Sequence, residues 1–453
     1  MQVAGQPVVN YSFDDANRLI GITQGTQSVG MNYDAASRRI CLTLPNGVVK
    51  TFGYDPDSRP TSLTFGSHGN CGFPINNPGD LGSLIYAYDP AGRVTGQTGS
   101  LASTQLPNPV SGNTFDANNT MTAFGGQPLA YDLNGNLTSD GTNAYQWDAR
   151  NQLSSMSGAS NASFVYDGIG RRARKTINGM TIQFLYDYQN PVQELDGSSN
   201  VTANLLAGLD TDEYFTRTDV NGQSSYLTDI LGSPLALADT SGGLATQYSY
   251  DPFGGGLSSG AASANSYEYT GRENDGTGLY FYRGRYYSPK LARFLSQDPL
   301  DFGGGNSNLY AYVGGNPISN IDPFGLCDHD EKCKQLREKM DKLVNSTRGD
   351  DPSSFKGLAQ RFKQALRRNS PYADSGHLEQ LKNRQKELKD VIDDYIASGC
   401  GDPPAFAKEY ADKPIPKFDL DPKTQQRLEQ GMAQATILAT ILAALGYAVS
   451  FSF

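Results

Sequence analysis

Histidine, tryptophan and cysteine are scarce in this chain of 453 residues, which has three histidines, one tryptophan and five cysteines. The cysteines are odd in number and widely spaced, so they do not describe a disulfide scaffold, and they leave the redox compartment open. No His-Asn-His nuclease motif and no Ser-His-Asp triad is recognisable. The glycines follow no three-residue period, which excludes a collagen-like chain.

An export signal and an excess of positive charge are also missing. Met1 is followed by neither a basic n-region nor an apolar h-region, so the chain is cytoplasmic, leaves by a machine that needs no such signal, or is a fragment. The net charge is −10, with 17 basic and 28 acidic residues up to Leu326, and 20 basic and 19 acidic residues after it. Because the larger part is acidic, we expect no nucleic-acid partner.

Glycine and tyrosine are abundant, with 50 and 26 residues, while charged residues make up 19%. This mix suits tight turns between aromatic-rich strands better than long helices. Nine aromatic-aspartate pairs recur up to Asp187, most of them 16 to 21 residues apart. They are Phe13-Asp14, Tyr33-Asp34, Tyr54-Asp55, Tyr88-Asp89, Phe115-Asp116, Tyr131-Asp132, Trp147-Asp148, Tyr166-Asp167 and Tyr186-Asp187.

Each pair predicts one β-hairpin. A strand ends in the aromatic residue, the aspartate bonds its own following backbone to close a turn, and Gly or Asn supplies positive φ before the chain returns, as in YDLNGNL (131–137). A single hairpin cannot bury its aromatic face, so stacked copies must share a core. The alternative is an ordinary β-sandwich whose turns use aspartate, and the near-regular repeat disfavours it.

Over residues 10–326 these repeats resemble the YD-repeat, or Rhs, family. The resemblance implies a mainly β fold, in which residues 1–240 form YD-repeat hairpins of a hollow spiral shell, followed by a small α-helical domain. Known shells contain many more repeats, so the chain is similar to the C-terminal end of a shell and is too short to close a cage unaided.

Residues 241–326 resemble the Rhs-associated core domain, through GLYFYRGRYYSPKLARFLSQDP (278–299) and the terminal DPFGL (322–326). Many relatives cut themselves after the leucine of this last motif with two aspartates, in the manner of an aspartic protease. The resemblance implies Asp298 and Asp322 as the catalytic pair, Leu326-Cys327 as the cleaved bond, and Arg293 as a supporting cation. Two close carboxylates can share one proton, which suits general acid-base chemistry.

The same aspartates have a structural interpretation. Asp-Pro sequences form turns in which the carboxylate caps backbone N–H groups, and Asp251-Pro252 is a further such site. In addition, Asp301 stands where the first family motif usually has glycine. It places a side chain where the turn needs positive φ, and it adds a third carboxylate beside the pair.

Residues 327–453 have helical periodicity. The third helix places these residues toward a core: Leu378, Leu381, Leu388, Val391, Ile392 and Tyr395. In the family this position is commonly a delivered toxin with an adjacent immunity protein, but no characterised toxin and no enzyme signature is recognisable here. No cofactor is expected. Cys327, His329, Cys333 and Cys400 are weak metal candidates, since their spacing matches no standard zinc knuckle. A disulfide or free thiols are the simpler interpretations.

The end of the chain, residues 431–453, is apolar and uncharged. One continuous helix of this length would span about 34 Å, enough for a bilayer core. A helix that ends near Gly446 would span only about 24 Å and would suit a protein core instead. We therefore keep both a membrane-inserting segment and a buried core helix as interpretations.

Two function classes follow from the sequence. The first is a fragment of an Rhs-type polymorphic toxin, delivered without a classical signal peptide, whose partners are the remaining shell or secretion machinery, an immunity protein and a membrane reached through 431–453. In it a β-shell and core domain release a helical effector after Leu326. The second is a non-enzymatic cell-surface or interaction protein built from YD repeats.

Overall fold

The fold is known from a computed structural model. The described residues are 2–3, 5–67, 71, 80–103, 105–304, 306–326, 336–337, 339–344, 358, 375–397 and 403–413. The chain divides into two compact units, 1–335 with 396–401, and 336–395 with 402–453. Each unit is described by itself.

The first sheet of the first unit has eight antiparallel strands, each paired with its neighbours in sequence. They are β1 (Val9–Phe13), β2 (Leu19–Gln24), β3 (Gln27–Tyr33), β4 (Arg39–Thr43), β5 (Val49–Tyr54), β6 (Pro60–Gly66), β7 (Gly82–Tyr88) and β8 (Val94–Thr98). A small antiparallel sheet follows. It contains β9 (Thr114–Phe115), β10 (Met121–Phe124) and β11 (Gln127–Pro128).

The largest sheet has fourteen antiparallel strands, again in sequence order. They are β12 (Ala130–Tyr131), β13 (Leu137–Ser139), β14 (Ala144–Trp147), β15 (Leu153–Ser157), β16 (Ala162–Tyr166), β17 (Arg172–Ile177), β18 (Met180–Asp187), β19 (Asn190–Asp196), β20 (Val201–Ala207), β21 (Tyr214–Asp219), β22 (Gly222–Thr228), β23 (Pro234–Ala238), β24 (Leu244–Tyr250) and β25 (Gly256–Gly260).

A four-stranded antiparallel sheet follows the largest sheet in the first unit. Its strands are β26 (Glu273–Asn274), β27 (Tyr280–Tyr282), β28 (Arg285–Ser288) and β29 (Arg293–Phe294). Three short 3-10 turns lie near it, at Tyr269–Gly271, Asp301–Gly304 and Val313–Gly315. Of the described residues up to Leu326, these turns are the only helical ones, so the predicted mainly β fold is confirmed.

The repeat turn forms as the sequence indicates. In the turn after β3, Asp34 Oδ1 accepts the N–H groups of Ala36 and Arg38, each at 2.9 Å, and Oδ2 accepts Arg38 Nε at 2.7 Å. Ser37, three residues after the aspartate, has φ 62°, which is the left-handed conformation that the turn requires. One carboxylate thus closes the turn and fixes the arginine that begins the returning strand.

The same residues join successive repeats. Tyr33 donates its hydroxyl hydrogen to the Leu19 carbonyl of the preceding hairpin at 2.8 Å. Arg38 lies 4.8 Å from the ring centre of Tyr54 in the next repeat and donates to the Asp55 carbonyl at 3.1 Å. Equivalent hydroxyl bonds run from Tyr54 to Arg39, from Tyr88 to Pro60, from Tyr166 to Leu153 and from Tyr186 to Arg172. These hydroxyl and arginine contacts therefore bond neighbouring hairpins to each other.

The core of the first unit lies between these sheets. Leu63 and Phe65 of the eight-stranded sheet share one buried cluster with Phe215 and Leu227 of the fourteen-stranded sheet. A second cluster packs Phe164 of β16 against aromatic residues of β27 and β28. A third consists mainly of tyrosines, including Tyr282, Tyr287 and Tyr312, within the segment that follows the repeats. The four-stranded sheet is thus enclosed by buried aromatic rings.

Cys41 and Cys71 form a disulfide. Cys41 is in β4, and the backbone N–H of Cys71 donates to Thr43 Oγ1 at 3.1 Å, so the hydroxyl of a strand residue holds the second cysteine in place. The sequence did not pair these cysteines, since five widely spaced residues allow many pairings.

In the second unit, residues 336–337, 339–344 and 358 are helical, and the two helices with described bounds are α1 (Ser375–Ala397) and α2 (Ala405–Asp412). The predicted apolar face of α1 is confirmed for Leu381, Leu388, Val391 and Tyr395, which are buried, whereas Ile392 is only half-buried. Gln385 of α1 donates to the carbonyl oxygens of Tyr410 and Lys413 at 2.9 and 2.8 Å. Among the described helices none combines the length and apolar character needed to cross a membrane, and the apolar segment 431–453 lies outside the described residues.

Candidate self-cleavage site

The predicted catalytic aspartates both lie in turns of the repeat type. Asp298 Oδ1 accepts the N–H of Leu300 at 2.9 Å, and its carbonyl accepts the N–H of Asp301 at 2.9 Å. Asp322 Oδ1 accepts the N–H of Leu326 at 3.1 Å, four residues further along the chain. The sequence makes these turns for the same reason as in the repeats, because a short carboxylate can satisfy backbone donors that a tight turn leaves open.

The structure brings the two aspartates together at one cation that sequence reasoning missed, Arg285 at the start of β28. Arg285 Nη2 lies 3.1 Å from Asp298 Oδ2 and 3.5 Å from Asp322 Oδ2. The side chains of Arg285 and Asp322 are each 2% exposed, and that of Asp298 is 8% exposed. Two carboxylates that are 24 residues apart in sequence therefore share one guanidinium group in a site nearly free of solvent.

Arg285 also holds the segment that contains the predicted cleavage position. Its Nε donates to the Gly325 carbonyl, and its Nη1 donates to the Leu309 carbonyl at 3.0 Å. The guanidinium carbon lies 3.7 Å from the centre of the Phe294 ring. The planar fork of arginine allows this many fixed contacts, which a lysine ammonium could not make in the same directions.

Burial raises the pKa of Asp298 to about 6. The negative charges of Asp322 and Asp301 raise it as well, whereas Arg285 and the N–H of Leu300 work in the opposite direction. A carboxyl group with this pKa keeps its proton in mildly acidic solution, where an ordinary aspartate would be ionised. The pair can therefore provide one proton donor in a site that also contains a second carboxyl group.

Arg293, the cation expected beside the aspartates, lies elsewhere. Its Nη1 donates to the Asn119 carbonyl at 3.0 Å, and its guanidinium carbon is 5.0 Å from the ring centre of Phe115 and 5.6 Å from that of Tyr310. It makes no ion pair with Asp298 or Asp322. The sequence did contain a signal for the role of Arg285. This arginine stands within the aromatic run YFYRGRYY, and an arginine on a buried strand needs anionic partners.

Asp301, the departure from the family motif, occupies the left-handed position of its turn, with φ 50°. The turn therefore has the positive φ that was expected. Aspartate adopts it here, and this residue type tolerates the left-handed conformation better than most. The position is exposed, so its side chain is not packed into the site.

Cys327, the second residue of the predicted cleaved bond, lies outside the described residues, as do His329, Cys333 and Cys400. Within the described part of the chain, no group of three or more His, Cys, Asp or Glu residues could hold a metal ion.

Stacked hairpins with aspartate turns, followed by a buried aromatic segment that ends in DPFGL, define a YD-repeat shell protein. The Teneurin YD-shell family matches residues 80–303. The tRNA3(Ser)-specific nuclease WapA of Bacillus spizizenii is 30% identical over 363 residues, which cover 70% of this chain and 15% of the relative. The chain belongs to the Rhs/YD-repeat family.

Two further similarities agree with this assignment. Double-stranded DNA deaminase toxin A of Burkholderia cenocepacia is 26% identical over 380 residues, which cover 71% of this chain and 26% of the relative. The crystal structure of TcdB2-TccC3-Cdc42 matches with a TM-score of 0.53 at 20% identity, over 71% of this chain and 21% of that one. The last similarity concerns the fold alone. The chain thus spans 15 to 26% of the length of these curated relatives.

Proposed function

We propose that this chain is part of an Rhs-type polymorphic toxin that cuts itself after Leu326 and so separates its shell from the residues that follow. The observation that supports this proposal best is the meeting of Asp298 and Asp322 on Arg285, with Asp322 bonded to the N–H of Leu326. Two buried carboxyl groups thus lie close to Leu326, the residue that would contribute the carbonyl of the cleaved bond.

The reaction is hydrolysis of the peptide bond between Leu326 and Cys327. The ionised carboxylate of the pair takes a proton from a water molecule, whose oxygen forms a bond to the Leu326 carbonyl carbon. The C–N bond then breaks, and the protonated carboxyl group gives its proton to the departing nitrogen of Cys327. Asp298 is the member suited to hold the proton, since burial raises its pKa to about 6.

A specific observation favours a second candidate, in which the aspartates only form turns and the chain is a non-enzymatic interaction protein. Asp251 Oδ1 accepts the N–H groups of Phe253 and Gly255 at 2.8 and 3.0 Å, which is the same arrangement without a second aspartate at the turn. Turn formation alone therefore accounts for an Asp-Pro sequence. It does not account for two such turns sharing one buried guanidinium group.

The test is an intact-mass measurement of the purified full chain. We expect a fragment that ends at Leu326 in the unmodified protein, and only the full-length mass in Asp298→Asn and Asp322→Asn. Asp251→Asn is the matched control, because it alters an equivalent turn away from Arg285, and it should still be cut. Full-length mass in every sample, or cleavage that persists in Asp322→Asn, would remove both aspartates from the mechanism.

The residues after Leu326 we propose to be the effector, on the basis of their position in the family. The names of the relatives describe a tRNA nuclease and a DNA deaminase, which are activities of those proteins. For this chain we propose membrane attack through 431–453, with an immunity protein and the remaining shell or secretion machinery as partners.

Growth and membrane potential should fall in cells that express the full chain, and Asp322→Asn should protect them. If the unmodified chain and Asp322→Asn reduce growth equally, toxicity does not depend on cleavage. If neither reduces growth, the effector assignment is contradicted.

A further inference from the structure

The hairpin between β27 and β28 has an unusual order of residues. Tyr282 pairs with Arg285, so Arg283 and Gly284 form a two-residue turn. Arg283 has φ 57°, the left-handed conformation in which a hairpin normally uses glycine. A long side chain at this position is strained, and such strain persists where surrounding contacts fix it, often at functional sites.

Glycine occupies the next position for a reason that involves the cleavage segment, residues 322–326. A Cβ atom at Gly284 would lie 2.8 Å from the Phe324 carbonyl oxygen and 2.8 Å from Leu326 Cδ2. Instead the backbone N–H of Gly284 donates to the Phe324 carbonyl at 2.9 Å. The turn is thus shaped so that the cleavage segment can lie directly against its backbone.

The two turn residues and Arg285, the first residue of β28, bind three consecutive carbonyls of the cleavage segment. Arg283 Nη1 donates to Pro323, the Gly284 N–H donates to Phe324, and Arg285 Nε donates to Gly325. In addition, the Arg283 guanidinium carbon lies 5.4 Å from the centre of the Phe324 ring. A shift of the cleavage segment by one residue would break all three bonds, so these contacts define its register.

Arg283 is fixed in turn by the repeat hairpins. Asp212, in the connection between β20 and β21, accepts Arg283 Nη2 at 2.6 Å and Nη1 at 2.9 Å, and its side chain is 7% exposed. Burial alone would raise the pKa of Asp212, but the charges of Arg272 and Arg283 hold it below its usual range. Asp212 therefore stays ionised and keeps the guanidinium in one orientation.

We propose that Arg283, oriented by Asp212, is a positioning residue that sets the register of the cleavage segment and so makes Leu326-Cys327 the bond that is cut. This inference rests on the proposed self-cleavage. It makes that reaction depend on the β20–β21 connection of the repeat wall, which lies about 70 residues before the hairpin. If the β20–β21 connection is not folded, Asp212 cannot orient Arg283, and the hydrogen bond from Arg283 to the Pro323 carbonyl is lost.

Arg283→Gly is the most informative variant, because glycine suits φ 57° and the hairpin should not be strained by the change. Asn17→Gly is the matched control, since Asn17 is exposed, has φ 59° and lies in a turn of the first sheet. We expect Arg283→Gly to cleave at least tenfold more slowly or to cut at additional bonds, with partial recovery of the rate in millimolar ethylguanidinium. Asn17→Gly should cleave at the normal rate.

Amide hydrogen exchange in an Asp298→Asn background measures positioning without cleavage. Arg283→Gly should raise the exchange rates of Phe324, Gly325 and Leu326 at least tenfold and leave those of β28 unchanged. Unchanged exchange in the segment, with or without slower cleavage, would overturn the positioning role.

If the unmodified protein does not cut itself, the proposed function fails, and the exchange result alone decides whether Arg283 sets the register. If the unmodified protein and Arg283→Gly cut equally fast at Leu326, the positioning role fails and the proposed function stands.

Discussion

Asp301 donates its backbone N–H to the Asp298 carbonyl oxygen at 2.9 Å and has a left-handed backbone, with φ 50°. Gly325 has the same relationship to Asp322, with φ 64° and an N–H to carbonyl distance of 3.4 Å. The two halves of the candidate site are thus built from one kind of turn, in which the third residue after the aspartate reverses the chain.

The first prediction concerns this left-handed position. Since Asp301 is exposed, its replacement should change stability mainly through the backbone. We expect Asp301→Gly to alter the free energy of unfolding by less than about 1 kcal/mol, and Asp301→Val, which is β-branched, to lower it by about 1–3 kcal/mol. Urea denaturation of both variants in an Asp298→Asn background measures the difference. Equal stability of the two would show that the turn does not require positive φ.

The second prediction concerns pH. The proposed self-cleavage requires Asp298 to be protonated, and burial raises the pKa of Asp298 to about 6, so the cleavage rate should fall as the pH rises through about 6. Asp301→Asn removes a nearby negative charge, which makes ionisation of Asp298 easier, and should move this fall to lower pH. Single-turnover cleavage from pH 4.5 to 8 measures both curves. A rate that is constant across this range would contradict the assignment of the proton to Asp298.

The same pKa has a consequence for stability. The folded state binds the Asp298 proton more tightly than the unfolded state does, so this contribution is fully present below the unfolded pKa and is lost as the pH rises through about 6. In an Asp322→Asn background, exchange of Asp298 for asparagine should remove this part of the pH dependence. Urea denaturation at pH 5 and pH 7 would detect it.

The third prediction distinguishes the two candidate cations. Arg285→Lys keeps the charge but cannot reach two carboxylates and two carbonyls at once, so we expect cleavage to slow at least a hundredfold. Arg293→Lys, whose guanidinium contacts the Asn119 carbonyl and aromatic rings, should slow it less than tenfold. Cleavage rates of the two variants at pH 5 provide the comparison. The reverse order would restore Arg293 to the role that the sequence suggested.

The fourth prediction concerns the buried ion cluster that joins β17 to β26 and its following turn. Arg172 is fully buried and pairs with Glu273 and Asp275, and Lys175 lies 2.9 Å from Asp275. Arg172→Met leaves two buried carboxylates with one cation and should lower the free energy of unfolding by about 3–5 kcal/mol. The neighbouring Arg171→Met removes a partly exposed pair with Asp167 and should cost about 1 kcal/mol or less. Similar losses in the two variants, measured by urea denaturation, would contradict the importance of burial.

The sequence was informative where structure is local. The aspartate, the left-handed residue three positions later and the returning arginine all lie within five residues, so the turn after Tyr33 could be predicted from local chemistry. The meeting of Asp298 and Asp322 depends instead on how β28 packs, and no periodicity encodes that. Arg285 and Arg293 are both arginines in one motif, and only the fold distinguishes the one that faces the aspartates.

The disulfide and the partner of Arg283 show the same limit. Cys41 and Cys71 are joined across a separation of 30 residues, and the spacing of the five cysteines does not reveal this pairing. Asp212 lies in a repeat connection without the aromatic-aspartate signature, 71 residues before the arginine that it orients. Such long-range pairs follow from how the stacked hairpins pack. The sequence pattern predicts that the hairpins exist, but it does not predict these contacts.

The bonds between neighbouring hairpins have a consequence for how such proteins change over evolutionary time. Tyr33 reaches back to Leu19, and Arg38 reaches forward to Tyr54, so these hydrogen bonds and ring contacts join residues of two adjoining copies. Duplication or deletion of one copy, most of which are 16 to 21 residues long, should therefore recreate contacts of the same kind. The number of hairpins in such a protein could therefore change one hairpin at a time. The segment that follows the repeats, which has its own contacts, would stay unchanged.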